Sequence, residues 1–287
     1  MIRIVTDSAA NLPEPFVNAF DIAVVPLKVI IGDHIYRDGV DLSVAEFYEM
    51  LQSKNISPST SQPSPDDFAE VYKPILDAGD EILSIHLAHT LSGTFNSAVQ
   101  AAQQFPNAPI TLVDTYLVSI GTGLAVLGAA QAVRQGATRE EAADVATRMS
   151  KQTTLLFTLE TLEYLRRGGR IGNASAFFGT LLRIKPVLAL QHGVVEPVDR
   201  VRTRQRALAR MIEMVAEQHQ DTPVWMGVAH ANAPDEAAQV RAELEARLDV
   251  RFCVETVIGP VVGAHAGPGT VGVAVTPAPE GVEAPRV

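Results

Sequence analysis

Through its first half the chain alternates short apolar runs with helix-like segments carrying their own start signals, and that alternation is what most limits its fold. Ile2–Val5 is an apolar run ending at Thr6-Asp7-Ser8. Asp21–Ile31 is rich in β-branched residues, and Gly32-Asp33 reads as a turn into His34–Arg37. Ser43-Val44-Ala45-Glu46 is a capping box, in which hydroxyl and carboxylate each satisfy a backbone N–H, and it opens a helix to about Gln52. Pro65 suits the first helical position after Ser64, so the next helix runs to Asp77. Glu81–His86 and Ile110–Val113 read as strands, Ser97–Phe105 and Ser119–Arg134 as helices. Thr138-Arg139-Glu140-Glu141 is a second capping box, opening a helix to about Lys151. Strands separated by helices are joined by crossovers, which make the sheet parallel and cover both its faces.

The second half changes pattern. Thr153–Thr158 reads as a strand and Glu160–Arg167 as a helix stopped by Gly168-Gly169. Pro186–Leu190, Gln191-His192-Gly193 and Val194–Val201 read as strand, tight turn, strand, and a hairpin requires antiparallel pairing. A helix over Thr203–Gln218, a strand over Val224–Ala229, a helix over Pro234–Leu248 and strands over Phe252–Ile258 and Val271–Val275 follow. The expectation is an α/β chain: an N-terminal parallel-sheet α/β/α domain over residues 1–150, and a C-terminal α/β domain with a mixed or antiparallel sheet over 151–287. The Pro- and Glu-rich tail Thr276–Val287 is expected to fray.

Composition closes off other classes. With 47% hydrophobic and 20% charged residues the chain is not a disordered one. Lys and Arg number 23 against 33 Asp and Glu, a net charge of −10 that argues against nucleic acid as a partner and against stable seating on anionic lipid. A single cysteine, Cys253, excludes an internal disulfide framework and a multi-thiolate zinc site, and fits a reducing cytoplasm. The opening MIRIVTDSA lacks the apolar run of a signal peptide, and no stretch approaches the ~18 apolar residues of a membrane span. No G-x-x-x-x-G-K-[ST] occurs, and Gly121-Thr122-Gly123 lacks the third glycine of a dinucleotide loop.

Three loops stand out: Thr60-Ser61-Gln62-Pro63-Ser64, His89-Thr90-Leu91-Ser92-Gly93-Thr94, and Gly263 to Thr270 with His265 inside it. Loops at the carboxyl ends of parallel strands are where open sheets bind ligands. Hydroxyls, glycine amides and an imidazole suit an anionic oxygen group, although each loop alone also reads as an ordinary turn or cap. Ser92, His265 and Asp7 or Asp114 are the residue types of a hydrolase triad, but Leu91-Ser92-Gly93 is not G-x-S-x-G. His86 and His89 point to opposite faces of an extended chain, and nothing nearby completes a metal site. Arg166, Arg167 and Arg170 put three cations in five residues, either complementing a helix dipole or docking an acidic partner or a phosphorylated ligand. Arg200, Arg202, Arg204, Arg206 and Arg210 read as a solvated face or as part of the same patch. The segment Ala176–Leu190 is dense in large apolar residues, either core or, through Phe177, Phe178, Leu181, Leu182 and Ile184, the lining of an apolar cavity.

In order along the chain, these pieces resemble the DegV family, bacterial proteins that serve as the fatty-acid-binding subunit of a fatty acid kinase. Val5-Thr6-Asp7-Ser8 through Pro13, Thr60 to Ser64, Leu91-Ser92-Gly93-Thr94-Phe95-Asn96-Ser97-Ala98, Thr161 to Ile171, Lys185-Pro186-Val187-Leu188 and Gly267-Pro268-Gly269 carry the resemblance, which covers essentially the whole chain. His86-Leu87-Ala88-His89 departs from it, since the family more often has Ser-Ser before L-S-G-T. The resemblance implies a long-chain fatty acid such as palmitate held between two α/β domains. Its carboxylate would be bound by Thr60 and Ser92, with Ser61, Gly93, Thr94 and His265 around it. It further implies a carrier that is not itself an enzyme, has no metal or cofactor, and touches membranes transiently in the cytoplasm. A separate kinase subunit, gripped through Arg166, Arg167 and Arg170, would phosphorylate the bound acid for phospholipid synthesis. The competing readings are a serine-dependent lipid hydrolase or acyltransferase using Ser92, and a fatty-acid sensor without a kinase partner.

Overall fold

The computed structural model describes residues 1–53 and 56–287, the side chains of residues 178–183 excepted. The first part runs β1 (Ile2–Asp7), a 3-10 turn at Ser8–Ala10, α1 (Glu14–Ala19), β2 (Ala23–Val25), β3 (Lys28–Ile31), β4 (His34–Arg37), α2 (Val44–Ser53), β5 (Ser59–Ser61), α3 (Pro65–Asp77), β6 (Glu81–His86), α4 (Thr94–Ala102), β7 (Ile110–Asp114), α5 (Ile120–Arg134) and α6 (Arg139–Gln152). The second runs β8 (Thr154–Thr158), α7 (Glu163–Arg167), a 3-10 helix at Gly172–Arg183, β9 (Lys185–Gln191), β10 (Val194–Val201), α8 (Arg204–His219), β11 (Val224–His230), α9 (Pro234–Glu245), β12 (Val250–Val257), α10 (Pro260–Ala266) and β13 (Val271–Pro277).

The first sheet has order β2-β1-β6-β7 and is parallel throughout, as the crossovers require. The second has order β10-β9-β8-β13-β11-β12 and is mixed, with β11 and β12 its parallel pair. A small antiparallel sheet, β4-β3-β5, was not expected.

The layers follow from where each helix is apolar. α5 is buried at every position from Ile120 to Ala132, and a helix apolar on all sides must be covered on all sides. It lies between the sheets, against β1 and β6 on one side and β11 and β13 on the other. Glycines permit the approach: a Cβ on Gly123 would stand 3.0 Å from the Ala10 carbonyl. α6 shares this middle layer. α3 and α4 cover the outer face of the parallel sheet around Phe68 and Tyr72, and α8 and α9 cover the mixed sheet around Met211 and Val240. The central core is continuous from Ile4 to Ala274.

The capping boxes form as read: Ser43 pairs with Glu46, and Thr138 with Glu141, and Ser64 makes a further one with Asp67. Three expectations need correction. Thr60 and Ser61 lie on β5, not in a loop, because Val29 and Lys28 of β3 pair with them. The loop around His265 is α10 up to Ala266. The tail does not fray: β13 reaches Pro277, Val282 and Ala284 pack on the core, and the Arg134 guanidinium donates to the Arg286 carbonyl at 3.3 Å.

Candidate functional site

A cavity of about 250 Å³ lies between the two sheets, at the N-terminal end of α5. It sits just past the carboxyl ends of β1 and β6, where Ala9 and Leu87 line it, the usual place for a ligand in an open α/β sheet. Leu155 and Phe157, two apart on β8 and so on one face, form part of its wall with Leu190 of β9, Val195 of β10 and Val261 and Val262 of α10. Its volume falls just short of the ~300–1,000 Å³ common for small-ligand sites, and the lining is mostly apolar.

The polar groups gather in one region. Thr60 Oγ1 and His265 Nε2 are 2.7 Å apart. His265 Nδ1 is buried without a partner among the described residues. Burial, and then the Arg170 charge, pushes the imidazole down to about 4, so it is neutral at neutral pH. A neutral ring carries one N–H. Placing it on Nδ1 would bury an unpaired donor, so the favoured tautomer has Nε2–H donating to Thr60 Oγ1. That leaves the Thr60 hydroxyl proton available to the cavity. Ser92 Oγ lies 2.8 Å from Thr94 Oγ1 and accepts from the Thr94 amide at 3.3 Å. Ser61 and Gln62 complete this side, and Gln62 lies flat against Gly93, where a Cβ would come within 2.6 Å of its Cδ.

Arg170 is a correction. It was grouped with Arg166 and Arg167 for partner docking, with an inward turn before the apolar Ile171 equally open, and it lines the cavity. Its Nε donates to the Leu91 carbonyl at 2.9 Å and its Nη1 to the Gly168 carbonyl at 2.6 Å. The cause is local: Gly169 has φ +70° and the Arg170 amide bonds back to Leu165, so the chain reverses after α7. Arg166 and Arg167 stay outside, both on Glu163 at 2.8 and 2.7 Å, and that double contact holds the carboxylate down at about 2.

A family model described as "Uncharacterised protein, DegV family" matches residues 1–278. The chain belongs to the DegV family. A DegV domain-containing protein of Streptomyces coelicolor is 40% identical over 96% of this chain and 98% of its own. Among solved structures, a DegV family protein from Thermus thermophilus, described by its fatty acid binding, superposes with TM-score 0.92 at 36% identity over 96% of this chain and 99% of its own. A stearic acid-binding protein from Eubacterium ventriosum does so with TM-score 0.89 at 26% identity, over 96% and 98%.

Within this DegV chain the remaining expected residues scatter. Phe177 packs against the central core, and neither it nor Ile184 lines the cavity; Phe178, Leu181 and Leu182 lie outside the described side chains. The hydrolase triad does not assemble. His265 bonds Thr60 rather than Ser92, Asp7 takes His86 at 2.9 Å, and Asp114 takes His89 at 2.5 Å. His86, where the family pattern is departed from, is fully buried between Asp7 and Ser84, a packing role. Of the second arginine group, Arg204 reaches Glu236 and the Gly269 carbonyl, and Arg210 reaches Asp199. Among the described residues there is no group of three or more metal-ligating side chains and no helix long and apolar enough to cross a membrane. Sequence reading missed Leu155, Phe157, Val261 and Ser119, although the period-2 spacing on β8 was a usable signal.

Proposed function

We propose that this chain binds a long-chain fatty acid such as palmitate, tail in the cavity and carboxylate at Thr60 and Ser92, and presents that carboxylate to a separate kinase subunit for conversion to an acyl phosphate. One observation carries the reading. An apolar cavity is bounded on one side by two hydroxyls, a neutral imidazole and a guanidinium that has no carboxylate partner among the described residues. The fatty acid binding described for the Thermus and Eubacterium relatives supports it. Burying about fourteen methylenes at ~0.8 kcal/mol each offers roughly 11 kcal/mol gross, and each hydrogen bond to the charged head adds about 1.5–3 kcal/mol. The tail therefore supplies most of the affinity, while Thr60, Ser92 and the Arg170 charge orient the head, with Ser61, Gly93 and Thr94 shaping the rim.

Among the described residues no carboxylate orients His265, so none of them activates a nucleophile. A carrier role with catalysis in the partner fits that chemistry, and a fluorophosphonate probe should leave Ser92 unlabelled. Arg166 and Arg167, exposed on α7, suit an acidic face of the kinase subunit. Membrane contact would be transient, because a net charge of −10 is repelled by anionic lipid. The deciding experiment is extraction of the purified protein with organic solvent and mass spectrometry of what is released, followed by addition of ATP and the kinase subunit. A long-chain acid that becomes an acyl phosphate is the expected result. No acid in the extract, with no uptake of added palmitate, sinks the reading; uptake without phosphorylation favours a sensor.

A further inference from the structure

Asp38 follows β4 and is only 4% exposed. Its Oδ2 accepts from the Ser8 hydroxyl at 2.7 Å, and the Val261 amide in the first turn of α10 faces its carboxylate. Gly259, just before α10, lies against it, so that a Cβ there would stand 3.5 Å from Oδ1. Asp38 thus bridges the N-terminal half to the start of the helix that carries Val261, Val262, His265 and Ala266 of the cavity wall.

Among the described residues the bridge is built without a cation. The titratable groups facing Asp38 are Asp7 at the end of β1, itself bonded to His86, and Tyr48 of α2, whose hydroxyl donates to the Ile258 carbonyl at 3.0 Å. Arg37 and Asp41, its neighbours in sequence, pair with each other in solvent. A carboxylate shut away from water with only a hydroxyl and an amide for company prefers its neutral form. Burial accordingly pushes Asp38 up to about 6, and the Ser8 hydrogen bond pulls the other way.

We propose that Asp38 is a positioning residue whose buried carboxylate latches α10 to the N-terminal half, and that its ionisation loosens this latch and lets the bound fatty acid exchange. The direction follows from linkage. When α10 moves away and water reaches Asp38, the carboxyl returns to its ordinary 3.8. Protons therefore favour the closed arrangement. Opening becomes about fivefold easier per pH unit between about 4 and 6, then levels off, because above that range Asp38 is ionised in both arrangements. His265, at about 4, has already lost its proton over most of that range.

The inference rests on the fatty-acid reading. The test is stopped-flow release of a fluorescent long-chain fatty acid into a trap, from about pH 5 to about pH 8, for the wild type, Asp38→Asn and Ser8→Ala. Taking the wild-type to Asp38→Asn ratio at each pH cancels the titration of the ligand itself. That ratio should rise about fivefold from about pH 5 to about pH 6 and about tenfold in all by about pH 8, where it levels. Ser8→Ala removes the donor that favours the charged form, so its levelling point should move to higher pH. A ratio that does not change with pH overturns the latch, as does a Ser8→Ala profile with an unmoved levelling point, which decides the matter if Asp38→Asn does not fold. A wild type that takes up no fatty acid at any pH overturns the function itself.

Discussion

Alanine at Gly168 tests the site through one methyl group. Gly168 caps α7 with φ −76° and ψ −7°, a conformation open to any residue, so the substitution carries no backbone penalty. The problem is steric. The new Cβ would stand 2.7 Å from His265 Cε1 and 3.1 Å from its Cγ, and closer still to Nδ1. Ordinary contact begins near 3.4 Å, so the ring must retreat by at least 0.7 Å (3.4 − 2.7). A movement of that size spoils the 2.7 Å bond to Thr60. Overpacking costs about 1–3 kcal/mol and the lost bond about 0.5–1.5, offset by about 0.4–1 gained from the stiffer unfolded chain. The net loss of about 1–3 kcal/mol should lower the melting temperature by roughly 3–10 °C. With Thr60 no longer held, fatty-acid affinity should fall about tenfold, near 1.4 kcal/mol. Thermal melts and fluorescent fatty-acid titrations on Gly168→Ala, His265→Ala and the double variant form a closed cycle. In the His265→Ala background the methyl has room, so Gly168→Ala should be neutral or slightly stabilising there. An equal cost in both backgrounds, or none in the wild type, refutes the reasoning.

Ser92→Ala and Thr60→Val should each weaken fatty-acid binding about ten- to a hundredfold, the loss of one bond to a charged head worth about 1.5–3 kcal/mol, and unchanged retention in both would remove them from the site. Reversing Arg166 and Arg167 to Glu should leave melting temperature and bound lipid nearly unchanged, since these exposed side chains share one half-buried carboxylate, yet abolish acyl-phosphate formation with the kinase subunit; early melting or lipid loss would make the pair structural. Stability should carry the Asp38 signature: its contribution is fully present below about pH 3.8 and is lost as pH rises through about 6, an amount of roughly 3 kcal/mol from a 2.2-unit difference (6 − 3.8). Chemical denaturation across that range should show Asp38→Asn losing less stability than the wild type, and parallel curves would contradict it.

Much of the fold was legible because the signals are local. Ser43 with Glu46, and Thr138 with Glu141, each satisfy backbone groups within one turn, so four residues suffice to announce a helix start. The hairpin at His192-Gly193 is equally local, with φ of 49° and 75° at the turn. The alternation of strand and helix implied a parallel first sheet without knowledge of any distant contact. β5 was illegible for the opposite reason. Ser59–Ser61 has no apolar pattern of its own and is a strand only because β3 offers it a free edge. Arg170 was ambiguous in sequence because its neighbours, Arg166 and Arg167, point outward, and only the Gly169 turn sends it back to the Leu91 carbonyl.

By itself, then, the sequence determined most element types, the parallel first sheet, the net negative charge and the hydroxyl-bearing segments around Thr60 and Ser92. Tertiary structure alone decided that Thr60 meets His265 across 205 residues, that His265 Nδ1 has no partner among the described residues, and that Asp38 is buried against α10. The physical reason is one of range. Caps and turns are satisfied within a few bonds along the chain, whereas a cavity exists only where side chains from two sheets and a fully buried central helix fail to meet, and that gap is a property of their packing together.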